Sequence, residues 1–178
     1  MLIDTHAHLD RTTYADDWDD VLARAAAAGV ERIVVVGTTA AGSAESLRLA
    51  GTDPRLFATV GIHPNHAAEA AEGDWDEVVR MAGAARCVGI GETGLDKHWH
   101  DTPFAMQRDY FDRHIRLSQE RDLALVVHTR ECLPDAIEML SEAHNADRCA
   151  ESCIPTPATR SPRGFAWSWD CILASPGW

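Results

Sequence analysis

Two histidines, His6 and His8, stand one residue apart in the opening MLIDTHAHLD, directly after a short apolar run. Side chains alternate along an extended backbone, so both imidazoles point the same way and can bind one ion. Further along, Glu92 is flanked by glycines in GIGETGLD, and His128 ends the apolar run LALVVH. The glycines let the backbone turn and approach its neighbours closely, and a carboxylate held there can bridge two cations. Taken singly, each residue has a plainer reading. H-x-H arises by chance, Glu92 could cap the next turn, and His128 could be a satisfied core histidine. Together, three imidazoles and a carboxylate make a nitrogen and oxygen donor set that suits Zn2+, Mn2+ or Mg2+ and does not choose among them.

Such residues act only if the chain brings them to one point. MLIDTH, RIVVVG, LFATVGI, CVGIGE and LALVVH read as strands. They are followed in turn by YADDWDDVLARAAAAGV, AGSAESLRLAG, DWDEVVRMAGAA, PFAMQRDYFDRHIRLSQERD and CLPDAIEMLSEAH, which read as helices. The first of these has an acidic start and a closing Gly29, and the fourth has Pro103 in its first turn. Strands apolar throughout, such as IVVVG, are those covered on both faces. Five consecutive strand–helix units imply parallel strands with right-handed crossovers. In that scheme His6, His8, His63, Glu92 and His128 all fall at carboxyl ends of strands, the catalytic face of a (β/α)8 barrel. A closed barrel takes about 250 residues, and this chain has 178. The expected fold is therefore α/β, an incomplete (β/α)8 TIM-type barrel of five βα units.

Composition narrows the partners. A hydrophobic fraction of 46% and a charged fraction of 25% are those of an ordinary globular domain. A net charge of −12 argues against broad coating of DNA, but leaves room for a nucleic acid held locally by metal ions. No run approaches the roughly 18 apolar residues of a membrane span, and no export signal opens the chain. Five cysteines, an odd number without regular spacing, argue against disulfides. The expectation is a reduced, cytoplasmic protein with no membrane association and no obligate protein partner.

IDTHAHLD, VGIHPNHA, GIGETGLD and VVHTRE, in this order, closely resemble the N-terminal motifs of the TatD family of metal-dependent deoxyribonucleases. The resemblance runs from residue 1 to about residue 146. It implies a barrel of the metal-dependent hydrolase superfamily that holds two divalent ions (Mg, Mn or Zn) and cleaves DNA phosphodiesters, commonly as an exonuclease. By the same resemblance His6 and His8 bind one metal, Glu92 bridges both as the catalytic carboxylate, and His128 binds the second. His63 and Arg130 match positions near the substrate, where Arg130 could hold a phosphate oxygen bidentately. Their plainer readings are that His63 orients a loop and that Arg130 caps or pairs with Glu131. His66, His98, His100 and His114 read as surface or loop residues.

Two other readings stay open. Amidohydrolases of the same barrel superfamily also begin with H-x-H, but usually place a lysine at the end of strand four, where this chain has Glu92. A non-catalytic fragment with a partial metal site is the other.

After His144 the family pattern stops. The remainder, NADRCAESCIPTPATRSPRGFAWSWDCILASPGW, has neither helical nor strand periodicity, so residues 147–178 are expected to be an irregular tail outside the family part. The family's later metal-binding His, in H-[CS]-[FY]-[ST]-G, and its TDSP-like Asp are not found there. Codons read from their third base, as after loss of one base upstream, offer an explanation. Cys153–Ile154 then encodes only His or Tyr, and the pairs from Glu151 to Ala158 permit Val-Leu-His-Ser-Tyr-Thr-Gly. Trp169–Asp170 gives only Gly, Asp170–Cys171 only Leu, and the codons on to Trp178 permit a run similar to the family's next strand. The expectation is a frameshifted, truncated member that can hold as few as one ion and hydrolyses little. Resequencing the source gene from the codon of Leu140 onward should reveal a missing base between the codons of His144 and Glu151. An intact frame encoding the same tail would refute this.

Overall fold

The apolar runs become the strands of one sheet in the computed structural model, which describes residues 2–9, 13–14, 16–153 and 172–174. In chain order the elements are β1 (Leu2–Ala7), α1 (Trp18–Ala27), β2 (Val30–Val36), α2 (Ala40–Ala50) and β3 (Leu56–Val60). A 3₁₀ helix (Pro64–Glu69), α3 (Asp74–Met81), β4 (Cys87–Asp96), α4 (Phe104–Arg121), β5 (Ala124–Arg130), α5 (Leu133–Cys153) and β6 (Ile172–Ala174) follow. The strands lie in the order β1-β2-β3-β4-β5-β6, every neighbouring pair parallel. Right-handed crossovers that always add the next strand at the same edge put the helices on one face, which builds a barrel wall and not a doubly wound sheet. β6 comes round toward β1, so the sheet is curled. Fold class and the five strand–helix units agree with the sequence.

The differences lie at element ends. β4 runs past CVGIGE to Asp96, because Gly94 pairs with His128 and Asp96 with Arg130 on β5. Pro103 is the N-cap of α4 and not part of its first turn. Helix α5 continues past residue 146 to Cys153, and within the tail Ile172–Ala174 pairs with Val126–His128 as β6. Those two pieces of the tail are regular, and the rest of it lies outside the described residues.

Two apolar clusters hold the helices to the sheet. Trp18 and Leu22 of α1 and Leu49 and Ala50 of α2 pack on Ile33 and Val35 of β2 and on Leu56 and Ala58 of β3. Val78 and Met81 of α3, Phe111 and Ile115 of α4 and Ala136 of α5 pack on Val60, Ile90, Leu95 and Val127. β1 is the exception, with Leu2 58% and Ile3 47% exposed.

His114, expected at the surface, is wholly buried on the inner face of α4. Its Nδ1 donates to the Tyr110 carbonyl at 2.6 Å, and its Nε2 accepts the N–H of Ile62 at 2.9 Å. It thus ties α4 to the chain just beyond β3. The α4 positions Phe111, His114, Ile115 and Ser118 share one helical stripe, a signal that already marked this histidine as inward. Burial pushes its pKa down to about 4 from 6.5, so the folded protein holds it neutral. The unfolded chain takes up its proton first, so this contribution to stability is whole above about pH 6.5 and is lost as pH falls toward 4. Thermal unfolding should therefore weaken more steeply over that window in the wild type than in His114→Gln. Parallel pH profiles would contradict the assignment.

Candidate metal centre

The carboxyl ends of the strands are shaped by the glycines around Glu92. The register of β4 against β5 shifts between Ile90 and Thr93, leaving a bulge at Gly91 and Glu92, and bulges re-aim the side chains they carry. Gly91 has φ of 130°, and a Cβ on it would strike the carbonyl oxygen of Val126. Gly61, just beyond β3, lies so close that a Cβ there would stand 2.6 Å from the Cα of Gly91. Ser43 Oγ clamps Gly61 by accepting its N–H at 3.0 Å and donating to its carbonyl at 3.2 Å. The N–H of Glu92 donates to the Gly37 carbonyl at 2.8 Å, reaching past β3 to the end of β2. Glu92 is buried as a result.

Imidazoles surround that carboxylate on two sides. On one, His6 Nε2 and His8 Nε2 are 3.1 Å apart and each lies 3.5 Å from Glu92 Oε2. On the other, His128 Nδ1 is 3.3 Å and His63 Nε2 4.0 Å from Glu92 Oε1. Two groups of potential ligands, His6–His8–Glu92 and His63–Glu92–His128, therefore share one residue. Donors about 2.1 Å from an ion stand about 3.0 Å apart in octahedral and 3.4 Å in tetrahedral geometry, so the first triangle has the size of a coordination face. The donor set, imidazole nitrogen and carboxylate oxygen, fits a divalent cation.

The electrostatics point the same way. Burial alone would raise the pKa of Glu92, but the imidazoles of His128 and His6 beside it hold it well below the usual carboxylate range. Burial, reinforced by the neighbouring His128, pushes His63 down to about 4, and burial also lowers His8. An anionic carboxylate beside neutral His8 and His63 suits a metal site. At His128 burial is outweighed by the hydrogen bonds to Glu92 and Asp96, which raise the pKa, so it must release a proton to serve as a ligand. His63 Nδ1 accepts the N–H of Asn65 at 3.2 Å. In the neutral ring this leaves the proton on Nε2, so the edge facing Glu92 is a donor and not a ligand.

Sequence reasoning overlooked Asp96. Its Oδ2 lies 3.1 Å from His128 Nε2 and accepts from Asn65 Nδ2 at 3.2 Å, while its Oδ1 accepts the N–H groups of His98 and Trp99 at 2.8 and 3.0 Å. The signal was present: four residues beyond Glu92 on one strand, Asp96 falls on the same face. Arg130 does not pair with Glu131, which holds His98 Nδ1 at 2.9 Å; its guanidinium lies over the Trp99 ring, 5.8 Å from the centroid. His98 and His100 are exposed and His66 partly so, as expected.

A curled parallel sheet with imidazoles and a buried carboxylate at its carboxyl edge is the scaffold of the barrel-type metal-dependent hydrolases. Residues 3–154 match the profile of the TatD-related DNases, and the chain belongs to that family. The match passes residue 146, as α5 does. The chain is 35% identical over 142 residues to the metal-dependent hydrolase YabD of Bacillus subtilis, covering 80% of this chain and 56% of that one. It is 30% identical over 130 residues to the 3'-5' ssDNA/RNA exonuclease TatD of Salmonella typhimurium, covering 73% of this chain and 50% of the relative. Among solved structures it resembles the TatD homologue YjjV of Escherichia coli, with a TM-score of 0.74 at 30% identity over 80% of this chain and 56% of that one. The chain spans about half the length of these relatives. Among the described residues, no helix is long and apolar enough to cross a membrane.

The close passage of Gly61 against Gly91 carries the bulge, so Gly61→Ala should lower unfolding stability by roughly 1–3 kcal/mol, the range for overpacking. Unchanged denaturant unfolding would show that the backbone yields there at no cost.

Proposed function

We propose that this chain carries the larger share of a two-metal centre for hydrolysis of phosphodiester bonds in DNA or RNA. One observation supports it above the others: Glu92 presents Oε2 to His6 and His8 and Oε1 to His128, the arrangement of a bridging carboxylate. In this reading His6, His8 and Glu92 hold the first ion, and Glu92 with His128 Nδ1 holds the second. Asp96 accepts the His128 Nε2 proton and so fixes the tautomer that frees Nδ1, the usual role of a carboxylate behind a histidine ligand. His63, neutral and with its proton on Nε2, donates to an oxygen of the substrate. Arg130 takes a phosphate oxygen. Bound divalent ions would supply Lewis-acid polarisation of the phosphate and acidification of water. Their charge also replaces the basic surface that a chain of net charge −12 lacks.

The substrate class comes from the exonuclease name of the Salmonella relative, and hydrolysis at the rate of full-length relatives is expected only where the rest of the barrel length is present. The amidohydrolase alternative is disfavoured because the single lysine of the chain, Lys97, is bound to Asp135 at 2.7 Å.

Titration with Mn2+ by calorimetry tests the assignment. Glu92→Gln should weaken binding at both positions by about tenfold or more, whereas Asp96→Asn should weaken one ion about 10–100-fold and spare the other. Binding by Glu92→Gln equal to the wild type would sink the bridging role.

A further inference from the structure

We infer that Trp99 is a stacking platform for a nucleobase at the mouth of the candidate metal centre, a reading that rests on the nucleic-acid substrate proposed above. Trp99 lies in the loop between β4 and α4 and is 49% exposed. A single exposed apolar side chain means little by itself. What sets this one apart is how it is held, and to what.

The first tie is the carboxylate of Asp96. One of its oxygens accepts the backbone N–H groups of His98 and Trp99 at 2.8 and 3.0 Å, and the other lies 3.1 Å from His128 Nε2. One buried side chain therefore fixes the indole-bearing loop and a histidine of the centre at once. The second tie is Arg130, two residues beyond His128 on β5 and so on the same face of that strand. Its guanidinium stands 5.8 Å from the centroid of the indole ring. The third is His98, whose ring meets Trp99 edge-on at 4.9 Å and is itself held by Glu131 at 2.9 Å.

The result is a half-exposed indole on a pinned backbone, a guanidinium over one of its faces, and a carboxylate–imidazole cluster one side chain away. That sequence of surfaces matches the parts of a nucleotide. The indole takes the flat base, the guanidinium takes the phosphate, and the cluster receives the bond to be cut. Every base has a π-face, so an aromatic platform binds single strands with little regard to sequence. It also gives an acidic protein a grip on nucleic acid that does not depend on net charge.

The test uses the whole chain in Mg2+ or Mn2+ with two single strands of equal length joined by hydrolysis-resistant phosphorothioate linkages. One carries a terminal 2-aminopurine and the other is abasic throughout. Wild-type protein should quench the 2-aminopurine and prefer the strand that bears bases. Trp99→Ala should bind that strand about tenfold or more weakly and lose the quenching, with affinity for the abasic strand unchanged. Trp99→Phe should keep most of both signals, and Arg130→Ala should weaken the two strands alike. Equal binding by wild type and Trp99→Ala, or an equal loss for both strands in that variant, would overturn the stacking role alone. Failure of the wild type to bind either strand would overturn the nucleic-acid reading beneath it.

Discussion

Everything at the carboxyl edge of this sheet depends on one buried negative charge. A carboxylate taken out of water costs several kcal/mol unless other groups compensate it, and among the described residues Glu92 is compensated by imidazoles: His6 and His8 on one side, His128 and His63 on the other. Those four histidines come from the ends of β1 and β5 and from the loop after β3, so the charge cannot be satisfied until the sheet has brought β1, β3, β4 and β5 together. The sheet order is thus read out chemically at one point. The glycines serve the same end. Gly61 and Gly91 remove the two Cβ atoms that would hold β3 and β4 apart where the glutamate must turn inward.

Behind that charge stands a second layer that fixes proton positions. Asn65 gives its backbone N–H to His63, and Asp96 faces His128. These contacts decide which ring nitrogen carries the proton, and hence which imidazoles offer a lone pair and which offer a hydrogen. His114 does the same inside the core, where accepting from Ile62 and donating to Tyr110 leaves it no use for a charge. Three histidines with one side-chain chemistry thus take three roles through the partner on the far nitrogen.

Much of this was legible in the sequence, for identifiable reasons. The continuous apolar runs RIVVVG and LALVVH announce strands covered on both faces, and their alternation with helical segments fixes parallel order. His6, His8, Glu92 and His128 were visible because they follow apolar runs and sit in the distinctive motifs IDTHAHLD, GIGETGLD and VVHTRE. Asp96 and Trp99 were passed over because their meaning lies in contacts across 31 or 32 positions of chain, to Asn65, His128 and Arg130. His114 was misread because a histidine among arginines and aspartates looks solvated until the helical stripe is drawn. The end of α5 was misplaced because the family motifs stop before the helix does.

The exposed first strand has a consequence for cohesion. β1 buries little of its own apolar surface, yet it and the residue just beyond it contribute two of the four imidazoles that face Glu92. An ion held between His6, His8 and Glu92 would act as a removable cross-link between the start of the chain and its middle, closing a loop of more than eighty residues. The entropy of so long a loop makes such a staple most valuable where side-chain packing is thinnest. The chemistry of the site and the anchoring of the N-terminal strand would then share a single reversible bond, and a chelator would loosen both together.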